Sequence, residues 1–173
     1  MLETLTALTQ PWADVFAESS WLPTAVIAVH VLAMFLAGGI AIAADRRVVQ
    51  ATPGSSEAFL AVATDLQATH SIVIAALTVT MLSGVALFTA DPGTFWPSRV
   101  FWAKMAALLV LVVNGARMRS TESRLLTHAR QTREMAVAGP EVTGPWQTLR
   151  AHAWMSLLGW FTVVLLGVVV ANI

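Results

Sequence analysis

Residues 21–44 read WLPTAVIAVHVLAMFLAGGIAIAA, an uncharged run with one histidine that stops at Asp45-Arg46-Arg47. A helix needs about 20 mostly apolar residues to cross a hydrocarbon layer about 30 Å thick. This stretch is long enough. In lipid the backbone must satisfy its own hydrogen bonds, so a spanning segment is a helix or part of a closed barrel, and the alternating strands of a barrel are absent. Three more stretches meet the same requirement, 70–90, 100–118 and 151–173. The expected fold is all-α: one integral-membrane, up-down four-helix bundle with spans at 21–44, 70–90, 100–118 and 151–173, and with residues 1–20 lying at the outer interface.

Composition agrees, because 57% of the residues are hydrophobic and only 12% are charged, well outside the soluble norm. The lipid bilayer is the expected solvent. Ten basic and ten acidic residues cancel, which argues against nucleic acid as a partner. Cysteine is absent, so disulfides, thiolate-bound zinc and iron-sulfur clusters are excluded. The first twenty residues carry Glu3, Asp14 and Glu18, with no basic leader and no continuous apolar core. The first span is therefore expected to be retained, not cleaved.

Turn residues punctuate the runs: Thr52-Pro53-Gly54-Ser55-Ser56, Asp91-Pro92-Gly93, and a polar stretch from Arg119 to Pro145 with Gly139-Pro140 and Gly144-Pro145. Ser55 or Ser56 suits a helix cap well ahead of His70, and Pro145 suits a first helical turn. Residues 117–134 continue the third helix in the same register. Eight of the ten basic residues, Arg46, Arg47, Arg117, Arg119, Arg124, Arg130, Arg133 and Arg150, fall on one side of this drawing, and only Arg99 and Lys104 on the other. Positive loops stay in the cytoplasm, which predicts that both termini are extracytoplasmic. Trp21, Trp96 and Trp102 then mark the outer interface, and Trp146 and Trp154 the inner one.

Polar groups inside a membrane are expensive, so those present form a short set of candidates. His70 and His152 open the apolar parts of the second and fourth spans at about equal depth. A haem b held between two helices needs an imidazole from each side; Gly159, two turns beyond His152, would leave room for the ring, and Arg150 would meet a propionate. The plain alternative is an interfacial histidine pair, with glycines that serve close helix packing. His30 lies roughly 13 Å below the outer end of its helix. With Met34 one turn away and Met81 at the same level, it suits a soft copper site or a His/Met-ligated haem; alternatively it is a neutral histidine bonded to Asn114 or a threonine. Lys104 is expected to snorkel to the outer interface. No phosphate loop, catalytic triad order or zinc spacing is present, so hydrolase and kinase chemistry has no support.

His30 with Gly38-Gly39, Asp45-Arg46-Arg47, Ser83-Gly84, the Phe88 to Pro92 turn, Phe101 with Lys104 and Asn114, and Ser156 to Trp160 together resemble a family of small bacterial four-helix membrane proteins. That family is similar in pattern to the membrane domain of the copper-resistance protein D family. The resemblance covers nearly the whole chain and implies haem or copper, with His30 as the expected histidine. Three functions follow as expectations: a haem b cytochrome-like protein passing electrons between a quinone or redox partner protein and an acceptor; a copper-binding or copper-permeation protein; and a cofactor-free accessory subunit. Homo-oligomerisation is compatible with each.

Overall fold

Each apolar run continues into a helix longer than the membrane demands. The computed structural model describes residues 2–51, 56–134 and 143–172, and among them are six helices: α1 (Leu2–Glu18), α2 (Leu22–Gln50), α3 (Ser56–Ala90), α4 (Pro92–Phe95), α5 (Arg99–Glu134) and α6 (Thr143–Val170). Four are long and apolar enough to cross a membrane, over Leu22–Gln50, Ala68–Ala90, Arg99–Arg124 and Trp146–Val170. At 36 residues, α5 is about 54 Å long. It overshoots the hydrocarbon layer, and the surplus carries arginines. The turns expected at 52–55 and 139–140 lie outside the described residues.

The lateral surface matches a lipid solvent. Only 17% of the residues are buried in each of the first three spanning windows and 22% in the fourth, while Leu32, Phe35, Leu82, Leu109, Leu158 and Leu165 point outward. Such a belt would be untenable in water. The molecule is a multi-pass, all-α membrane bundle.

Helix pairing is uneven. The hairpins α2–α3 and α5–α6 are closely packed, and α2 and α6 join them across the middle, whereas α3 and α5 touch only sparingly. One seam of the bundle is therefore open, and α3 and α6 stand diagonally opposite. Two apolar layers close the rest. One contains Ala37, Ala76, Leu108, Leu111, Trp160 and Val163; the other, nearer the arginines, contains Val48, Leu66, Met118, Leu126, Trp146 and Leu149. Gly38 sets the α2–α6 approach, since a Cβ there would lie 3.0 Å from the Trp160 ring.

At the opposite end, α1 packs against α3 and α4. The Trp12 indole donates to the Ala86 carbonyl at 2.9 Å, which pins α1 across the end of α3. The Asp91-Pro92-Gly93 turn is itself a short helix: the Asp91 carboxylate accepts from the Thr94 amide at 3.1 Å, and Pro92 fits the first turn because its missing N–H would be unpaired there anyway. Phe88 stacks on Phe101 with ring centroids 5.2 Å apart, and the Trp102 indole donates to the Trp96 carbonyl at 2.9 Å.

Candidate functional site

The open seam holds a cavity of about 290 Å³ on the arginine-rich side of the bundle, at the lower end of ligand-pocket sizes. Its walls are mostly apolar, with Leu77, Leu111 and Trp160 among them, and its polar edge is Asp45, Thr69, His70, Arg119 and Ser156. Ile74 on α3 and Val112 on α5 line the cavity and are each 46% exposed. Residues that belong to both the wall and the lateral surface mark a mouth facing lipid.

Asp45 reaches this place because α2 runs one turn past its small-residue stripe of Ala37 and Ala41. It is 3% exposed. The Ser156 hydroxyl hydrogen-bonds its carboxyl, but Oδ2 has no partner among the described residues. An unpaired acceptor in a dry interior costs about 1–3 kcal/mol, so this oxygen is either a standing penalty or the contact point for a donor from outside. The sequence alone leaves Asp45 equally readable as a solvated loop acid.

His70 Nδ1 lies 3.0 Å from the Leu66 carbonyl. A carbonyl can only accept, so Nδ1 donates, and in the neutral ring Nε2 keeps the lone pair. Behind His70 stands Glu122 on α5, 1% exposed, with its Oε2 3.8 Å from Nδ1. Neither Glu122 oxygen has a hydrogen-bond partner among the described residues. Sequence reading passed over Glu122 because its neighbours Arg119, Ser120, Ser123 and Arg124 look like a solvated helix. The available signal was periodic: Leu111, Met118, Glu122 and Leu126 lie on one stripe at helical spacing, and three of those four are apolar.

His152 is not in the wall of the cavity. The Asn114 amide clasps it, with Nδ2 donating to the His152 carbonyl at 2.9 Å. That bond fixes the amide orientation, so Oδ1 faces the ring and accepts from Nδ1 at 2.7 Å. The clasp ties α5 to α6. Gly159, expected to make room for a cofactor, instead receives Leu111, whose Cδ1 would lie 2.8 Å from an added Cβ. Arg150 is exposed.

His30 bonds not Asn114 but two groups of α3, the Ser83 hydroxyl and the backbone of a threonine, Thr80. Its Nδ1 is 3.0 Å from the Ser83 hydroxyl, which gives its own proton to the Val79 carbonyl at 2.7 Å. The ring thus has both its partners, the Ser83 hydroxyl and the Thr80 backbone, on α3. The ring sits against Gly84, where a Cβ would come within 3.3 Å of Cε1. Met34 is partly buried on α2 and Met81 is exposed on α3. Among the described residues no three His, Asp or Glu side chains gather as a metal site. Lys104 is half-buried, and its Nζ lies 3.7 Å from the Cβ position of Gly167 near the end of α6.

The arrangement thus provides a lipid-facing crevice whose polar edge carries the acceptors of Asp45 and His70 beside the donor Arg119, and two histidines elsewhere that each join a pair of helices. Comparison with protein families, curated proteins and solved structures finds no match to this chain.

Proposed function

We propose that this chain is a redox protein of the bacterial inner membrane that binds the hydroquinone form of a membrane quinone in the crevice between α3 and α5. One observation carries the reading: Asp45 Oδ2 is buried and unpartnered at the wall of a cavity whose mouth faces lipid. His70 Nε2 is a second acceptor on the same wall. Two acceptors select a ligand that brings O–H donors, because mismatched polar groups in a dry site are costly. An apolar mouth toward lipid selects a ligand that arrives through the bilayer. A hydroquinone meets both conditions. The eight arginines at one end orient the bundle with that end in the cytoplasm and both termini extracytoplasmic, which puts the crevice in the inner half of the membrane.

Oxidation of a hydroquinone to a quinone breaks two O–H bonds and releases two protons and two electrons. The Asp45 carboxylate and His70 Nε2 are the bases for the protons. The electrons leave singly to a one-electron acceptor, carried by a redox partner protein or by haem. Haem b is the second reading, favoured by one observation: His70 and His152 are both held through Nδ1, leaving free the Nε2 that an axial ligand uses. It comes second because the two residues belong to helices that do not pack on each other.

The test is equilibrium binding of a short-chain benzohydroquinone and its oxidised quinone to the purified protein in nanodiscs, with an absorption spectrum of the same sample. Saturable binding that favours the hydroquinone is expected. Non-saturable partitioning of both forms, as into lipid, would overturn the site and leave an accessory subunit. A low-spin haem band lost in both His70→Ala and His152→Ala would promote the second reading.

A further inference from the structure

We propose that Glu122 is a proton relay that connects His70, and through it the crevice, with the arginine-rich face of the bundle. The inference builds on the crevice as a hydroquinone site, yet its evidence is separate, because Glu122 does not line the cavity. It lies on the far side of His70, within 3.8 Å of Nδ1, the nitrogen that the Leu66 carbonyl already holds as a donor. A fully buried carboxyl with no hydrogen bond is poor packing. Among the described residues its neighbours with exchangeable protons are Arg119 on its own helix and the ring that borders the cavity.

An imidazole passes a proton by accepting on one nitrogen and releasing from the other. The ligand O–H bond breaks as the Nε2–H bond forms. The Nδ1–H bond then breaks as an O–H bond forms on the Glu122 carboxylate. One proton has left the crevice and one has reached Glu122, and the relay resets when water takes the proton from Nε2 and delivers one to Nδ1. The 3.8 Å gap calls for a small side-chain movement or one bridging water. From Glu122 the exit is short, since Arg119 and Ser123 on the same helix are exposed.

The charged surroundings leave this route the direct one. On α5, Arg119 acts electrostatically on Glu122. Among the described residues of α3 the facing group is His70. The α2 and α6 helices contribute Val48, Trp146 and Leu149 to the apolar layer that brackets Glu122 through Met118 and Leu126. Of their charged groups, Asp45 faces the cavity, and Arg46 and Arg150 are exposed.

The experiment is exchange of the His70 ring proton with water, followed by nitrogen-15 NMR of histidine-labelled full-length protein in nanodiscs without ligand. Glu122→Gln should slow exchange by about 100-fold, the low end of what a positioned acid–base group contributes. Glu122→Asp should restore most of it, which a purely structural role would not do. Unchanged His152 and Asn114 signals report that the bundle stays folded. Equal exchange in wild type and Glu122→Gln overturns the relay. Failure of hydroquinone binding with slowed exchange in Glu122→Gln removes the ligand reading and leaves the relay standing.

Discussion

Replacing Asn114 by alanine removes the clasp between α5 and α6, and its cost can be worked from the two bonds. Hydrogen bonds between membrane helices average about 0.6 kcal/mol and reach about 1.7. The pair here measures 2.7 and 2.9 Å, on a residue 2% exposed, so each belongs toward the upper half of that range. The His152 carbonyl lies inside α6, where its own turn supplies a second donor, and so loses only a supplement. The His152 ring is half-buried and recovers part of its loss by turning outward. A destabilisation of about 2 kcal/mol follows, within the factor of roughly 5–30 in the folding equilibrium that such energies produce. Reversible unfolding in bicelles measures it, and nitrogen-15 NMR should show His152 Nδ1 protonated in wild type and mixed in Asn114→Ala. A change below about 0.3 kcal/mol, within ordinary additivity error, would show that the clasp contributes nothing and that His152 is free for another role.

Gly38→Ala would bring a methyl group to 3.0 Å from the Trp160 ring, a rigid neighbour, and should cost about 1–3 kcal/mol as overpacking, measured by the same unfolding assay. Trp12→Phe removes the donor to the Ala86 carbonyl and should release α1, seen as faster proteolysis within residues 2–18 while the spanning helices stay protected. For orientation, a reporter active only in the periplasm should give signal when fused after Ile173 and none when placed near Gly139; the reverse would put the arginine-rich end outside.

The spans were legible because lipid imposes a length and an apolar content that a single sequence displays, as residues 21–44 do. The long extension of α5 beyond its apolar span was legible as well, from uninterrupted register past Arg117. What could not be read is helix rotation and neighbour choice. His70 and His152 share a depth, but depth says nothing of adjacency, and α3 and α6 stand on a diagonal. Asp45 follows an apolar run and precedes two arginines, so only the rotation of α2 turns it inward. Glu122 hides among exposed charged neighbours, and its burial comes from the apolar layer of four helices, most of it distant in sequence. His30 chose Ser83 because α2 and α3 approach closely at Gly84, a contact decided by packing.

The most direct measurement concerns Asp45. In Asp45→Asn the Ser156 hydroxyl would claim the amide oxygen, leaving an N–H donor where Oδ2 now accepts. A buried acceptor replaced by a mismatched donor is worth about 1–3 kcal/mol. Measured side by side in nanodiscs, the variant should bind the short-chain hydroquinone about 10-fold to 100-fold more weakly than wild type, and should now prefer the oxidised quinone, whose carbonyl accepts. Unchanged affinity and unchanged preference in a folded Asp45→Asn protein would contradict the account.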